Sequence, residues 1–91
     1  MACSLLYRVE ALYPPEAAQK HIEGTVKLRA VVGRDGRVMG LGIVSGSPSL
    51  VRAAMSAARE WRYIPALLNG EPVESETDIT IDFWQSHKAD R

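Results

Sequence analysis

Between residues 73 and 83 the chain alternates. Val73, Thr77, Ile79, Ile81 and Phe83 fall on one side, and Glu74, Glu76, Asp78, Thr80 and Asp82 on the other. A period of two is that of a strand with one buried and one solvated face. Such a strand requires neighbours in a sheet and a cover on its apolar side. A second segment supplies the neighbour: Val26, Leu28, Ala30 and Val32 alternate with Thr25, Lys27, Arg29 and Val31. Gly33-Arg34-Asp35-Gly36 then provides turn chemistry, because glycine and aspartate tolerate the left-handed backbone a tight reversal demands. The returning run over 38–44 loses phase, with Val38 opposed to Leu41 and Ile43. One extra residue near Met39-Gly40 restores a single face, which predicts a β-bulge there.

The cover comes from helical spacing. Ser47 is placed to cap and Pro48 to open a helix in which Leu50, Ala54, Ala57, Ala58 and Trp61 share one side, while Arg52, Ser56, Arg59 and Glu60 share the other. A shorter helix is expected to begin at Pro15 after Tyr13-Pro14, to reach His21 and Ile22, and to end by Gly24. Asn69-Gly70 reads as a turn. Residues 85–91 are polar and aperiodic and read as a frayed tail.

Net charge is zero, with 11 Lys and Arg against 11 Asp and Glu, but it is unevenly placed. Residues 20–62 hold eight bases and three acids, and residues 71–82 hold five acids and no base. The outward faces set Lys27 and Arg29 on the first strand against Glu74, Glu76, Asp78 and Asp82 on the last, and opposite charges favour adjacent strands. A strand, crossover helix and strand in one sheet run right-handed. If one space is left between those two strands, the first strand sits there antiparallel to both. The expected fold is therefore α+β: a three-stranded antiparallel sheet in the order second, first, third, with a short N-terminal helix and one main helix on one face.

Ninety-one residues allow a single domain, 1–91, with a core over about 9–84. At 46% hydrophobic and 24% charged the chain lies in the globular range. It should bury only roughly 65% of its unfolded surface, too little to enclose a deep cofactor pocket. Balanced charge argues against nucleic acid as a partner. Cys3 is the single cysteine, so neither an intrachain disulfide nor a zinc ribbon can form. No apolar run approaches the roughly 20 residues of a membrane helix. Gly40-Leu41-Gly42 and Gly46 have the wrong spacing for a dinucleotide loop. His21 and His87 lack ligand neighbours, and Ser45, Ser47 and Ser49 lack a base to activate them. The sequence therefore predicts no catalytic residue, no metal, no cofactor and no enzymatic activity.

Tyr13-Pro14-Pro15-Glu16-Ala17, Ile22-Glu23-Gly24-Thr25-Val26, Asp35-Gly36-Arg37-Val38, Ser45-Gly46, Leu50, Ala53-Ala54, Trp61-Arg62-Tyr63 with Pro65, and Asn69-Gly70 with Pro72-Val73, taken as an ordered set, resemble the TonB family C-terminal domain. The resemblance implies the same fold as the charge argument. It further implies a periplasmic domain of an inner-membrane-anchored energy transducer that captures a short extended segment, the TonB box, of an outer-membrane receptor. Family members usually carry a membrane helix and a proline-rich spacer ahead of this domain, so Met1 is expected to begin a cut-out domain whose membrane contact runs through an N-terminal anchor. Transporter-coupling members commonly have Gln-Pro before the Tyr-Pro pair, where this chain has Ala11-Leu12. Tyr13 and Pro14 are the motif residues expected near the binding groove.

The capture mode expected is strand addition at the free edge of the last strand, formed by Val73, Glu74, Ser75, Glu76, Thr77, Asp78, Ile79, Thr80, Ile81, Asp82 and Phe83. Its acids either select a basic partner or only solvate the strand and balance Lys27 and Arg29. A homodimer is compatible with the sequence. The alternative function is a structural or regulatory module at the end of a larger cell-envelope protein.

Overall fold

The computed structural model describes residues 3–84. In chain order the elements are β1 (Ser4–Tyr7), α1 (Pro15–Gln19), β2 (Gly24–Val32), β3 (Val38–Ser45), α2 (Pro48–Ala58), β4 (Arg62–Ile64), β5 (Ala66–Leu68), β6 (Glu71–Val73) and β7 (Ser75–Phe83). The central sheet has the order β3-β2-β7, antiparallel throughout, which is the α+β arrangement expected from charge and handedness. Val26, Leu28, Ala30 and Val32 are fully buried on the helix-facing side of β2, and Ile79, Ile81 and Phe83 continue that face on β7. Leu50, Ala54, Ala58 and Trp61 close over them in one apolar cluster. Ala57 is buried as expected, and Val51 is buried as well, so the helix stripe is slightly wider than the sequence pattern suggested.

The predicted bulge is present. Val31 faces Gly40 and Val32 faces Val38, which leaves Met39 as the extra residue. A second irregularity leaves Val44 over, since Leu28 faces Ile43 and Lys27 faces Ser45. With both bulges, Val38, Leu41 and Ile43 oppose the buried residues of β2, and Gly40 and Gly42 lie on the opposite face.

Local structure departs from the sequence reading at several points. The last strand begins at Ser75: Val73 belongs to β6 and Glu74 links the two. The cause is the Asn69-Gly70 turn. With φ of 54° and 84° these two residues reverse the chain into a β5–β6 hairpin that pairs Ala66 with Val73, and a new strand must start after it. Helix α1 stops at Gln19, short of His21 and Ile22. His21 takes the left-handed cap position, with its N–H donating to Ala18 O and that of Ile22 to Ala17 O, so the helix is terminated before Gly24 is reached. Ser47 does sit at the N-cap of α2, but only its carbonyl works there, accepting from Leu50 and Val51. The expected tail at 85–91, with His87, lies outside the described residues.

Two further elements have no counterpart in the sequence reading. β1 pairs antiparallel with β4, and Arg37 meets Arg62 in an isolated bridge that joins this ribbon to the start of β3. Gly36 makes the junction possible. Its φ is 85°, its carbonyl accepts from Tyr63 N–H at 2.8 Å, and a Cβ at this position would stand 2.0 Å from Tyr63 O.

Candidate functional site

A nine-residue β7 pairs with β2 without a break in register, from Gly24 opposite Phe83 to Val32 opposite Ser75. Its other edge has no strand partner among the described residues. Ser75, Glu76, Thr77, Asp78, Ile79, Thr80, Ile81, Asp82 and Phe83 therefore form one continuous edge, with Glu76, Asp78, Thr80 and Asp82 exposed and Ile79, Ile81 and Phe83 in the core. Val73 and Glu74, expected as part of it, belong to the preceding hairpin and linker. Ser75 Oγ, at the start of the strand, is buried and finds no hydrogen-bond partner among the described residues.

Three of the exposed acids turn inward along the sheet. Arg29, directly opposite Asp78, donates from Nε to Asp78 Oδ1 at 2.7 Å and from Nη1 to Glu76 Oε1 at 3.2 Å. Thr25 Oγ1 donates to Asp82 Oδ1 at 2.7 Å. The hydrogen bond that Arg29 donates to Glu76, followed by the charge of Asp78, raises the Arg29 pKa above its ordinary value. These groups are more than half exposed, so the pairs orient side chains more than they stabilise the fold. Lys27 faces Thr80. Two carboxylates share one guanidinium, and the outer face of β7 keeps an excess of negative charge.

Tyr13 and Pro14 lie elsewhere. The Tyr13 ring meets Phe83 edge-on, with centroids 5.7 Å apart at 85°, and its hydroxyl donates to Ile22 O. Burial, and after it Glu23, pushes the Tyr13 phenol up. The other side of the same segment faces an open groove against α2, where Tyr13 and Pro14 stand with Val9, Leu12, Ala53 and Ala57. No β7 residue lines that groove. Trp61 is core, 5% exposed, with Nε1 donating to Val9 O at 2.9 Å and the Arg8 guanidinium stacked 5.5 Å from its ring. Sequence reasoning missed this docking of residues 8 and 9 on Trp61, because a backbone acceptor leaves no mark on residue identity. Among the described residues no group of three or more His, Cys, Asp or Glu side chains is placed to hold a metal ion, and no helix is long and apolar enough to cross a membrane.

Residues 9–84 match the family described as Gram-negative bacterial TonB protein C-terminal. Protein TonB of Klebsiella pneumoniae is 43% identical over 58 residues, covering 62% of this chain and 24% of that protein. Protein TonB of Xanthomonas campestris pv. campestris is 32% identical over 73 residues, covering 78% and 33%. The chain thus spans 24% and 33% of the length of these relatives. A solution NMR structure of the Pseudomonas aeruginosa TonB CTD superposes with a TM-score of 0.72 at 25% identity, covering 89% of this chain and 84% of that one.

Proposed function

The chain belongs to the TonB C-terminal family, and from that premise we propose that it is a non-enzymatic periplasmic domain that couples inner-membrane energy to outer-membrane transporters by taking an extended receptor segment onto the free edge of β7. The observation that carries this reading is the terminal position of β7 in the sheet, with one edge paired to β2 and the other open. An open edge offers a row of backbone donors and acceptors, which give affinity, while alternate side chains give selection. Regular register over nine residues makes this the longest unbroken strand edge among the described residues. Its outward acids discourage two identical edges from pairing with each other, which keeps the template open. The partner is the TonB box segment of an outer-membrane receptor, and the domain reaches the inner membrane through an anchor ahead of the described residues.

Amide exchange with and without a TonB-box peptide tests the reading. Protection is expected at alternate amides within residues 75–83. Protection confined to β3, or none at saturating peptide, would overturn it.

A further inference from the structure

The sheet has a second open edge. Arg37 meets Arg62 just ahead of β3, but from Val38 to Ser45 the side of β3 turned away from β2 has no strand partner among the described residues. This edge differs in chemistry from β7. Residues 38–51 contain no charged side chain, and Met39, Ile43 and Val44 are 61%, 57% and 60% exposed. Beside it runs a shallow groove between β3 and α2, floored by Ile43, Val51 and Met55 and rimmed by Arg52 and Arg59. Neither guanidinium is engaged by an acid among the described residues. Edge, floor and rim each ask for a different property of a partner: a backbone in extended form, an apolar side chain, and negative charge.

We infer that β3 and α2 form a second docking surface, for an extended protein segment that carries an apolar residue between two acidic ones on the face turned toward α2. The spacing follows from laying the segment along α2. Arg52 and Arg59 are seven helical positions apart, about 10.5 Å along the axis, and strand positions i and i+4 lie about 13 Å apart. Flexible arginine stems bridge the difference, so acids at i and i+4 reach the two guanidiniums while position i+2 covers Ile43 and Met55. On the opposite face Gly40 and Gly42 present no side chain, and a Cβ at either would meet nothing within 4 Å, so the intervening residues are unrestricted in size. The bulges at Met39 and Val44 confine regular backbone to residues 40–43. Backbone bonds alone would hold a partner weakly there, and the charged rim supplies the selection.

The test uses two blocked heptapeptides, acetyl-Thr-Glu-Thr-Val-Thr-Glu-Thr-amide and its counterpart with lysine in place of glutamate, titrated into isotopically labelled protein at low salt. The acidic peptide is expected to bind about tenfold more tightly and to protect amides within residues 40–44. Arg52→Glu combined with Arg59→Glu should invert the preference. Both side chains are exposed, and an unchanged melting temperature verifies that the variant remains folded. Equal affinity for the two peptides, protection confined to residues 75–83, or an unchanged preference in the folded double variant would each overturn the inference. Protection of residues 40–44 that grows with protein concentration alone would also overturn it, by assigning the edge to a second copy of the chain.

Discussion

The two outer strands of the central sheet share a neighbour and little else. β7 follows β2 through nine consecutive pairs, while β3 follows it through six with two bulges. On the helix side β7 buries Ile79, Ile81 and Phe83 almost completely, and β3 leaves Ile43 more than half exposed. On the open side β7 carries Glu76, Asp78 and Asp82, whereas β3 carries glycine. An exposed edge must be kept from pairing with its own kind, and charge and backbone irregularity are alternative means of doing so. The strand guarded by charge keeps an unbroken nine-residue register, the property that the proposed capture of an extended segment requires. The strand guarded by bulges gives up that length, so the partner inferred for it would be selected by side chains more than by backbone.

The largest expected effect removes both edges together, because they hang on one core. Trp61→Ala should destabilise the domain by about 3–5 kcal/mol, the usual cost of truncating a buried large aromatic, and thermal or denaturant unfolding measures it. A loss under about 1 kcal/mol would mean that the two edges do not depend on a common core.

Gly36→Ala should act on the β3 side first. The substitution needs positive φ and sets a methyl group against Tyr63 O, so a cost of about 1–3 kcal/mol is expected. Amide exchange should show β1, β4 and the β2–β3 turn opening at lower energy than β7. Uniform loss of protection would show that the β1–β4 ribbon and the sheet unfold as one unit.

A smaller effect comes with alkaline pH, and one tyrosine reports on each side. Burial, and after it Cys3, raises the phenol of Tyr63, whose backbone meets Gly36, and burial, and after it Glu23, raises the phenol of Tyr13, whose ring meets Phe83. A phenol whose folded pKa lies above its unfolded value favours the native state below the ordinary value of 10.0. That contribution is lost as pH rises through the higher folded value. Stability should therefore fall above about pH 10, and Tyr63→Phe or Tyr13→Phe should flatten part of that decline in pH-dependent unfolding. Curves parallel to the wild type would remove the two phenols from the account.

Neutralising β7 should change stability least. Glu76→Gln with Asp78→Asn is expected to shift unfolding by no more than about 0.5 kcal/mol, the range of surface substitutions, because Arg29 and its acids are exposed. Peptide capture at this edge should persist with altered on-rate and salt dependence. Complete loss of capture would make the acids part of recognition and not only a guard on the edge.

Much of this architecture follows from patterns that need no tertiary information. Period two over residues 25–32 and 75–83 creates two faces, helical spacing from Leu50 to Trp61 creates a cover, and opposed charge makes β2 and β7 neighbours. The bulge at Met39 is legible for the same reason, since Val38 can share a face with Leu41 and Ile43 only if a residue is skipped. These signals are local or follow from a periodic code, so residue identity carries them. β1 and β4 are different: Ser4–Tyr7 and Arg62–Ile64 are too short to show a period, and all four β1 residues are exposed. Their pairing adjoins the contacts of Arg8 and Val9 with Trp61, which only the folded chain brings together. Gly36 illustrates the same limit. Its turn could be read from Asp35-Gly36, but its second role, admitting the backbone of Tyr63, depends on a residue that only the folded chain brings near. The acids of β7 were legible as a charged face, yet whether they point to a partner or to the sheet depends on register. The register sets Asp78 opposite Arg29 and Asp82 opposite Thr25, and hydrogen-bond geometry, which acts over about 3 Å, is settled only when two strands have met.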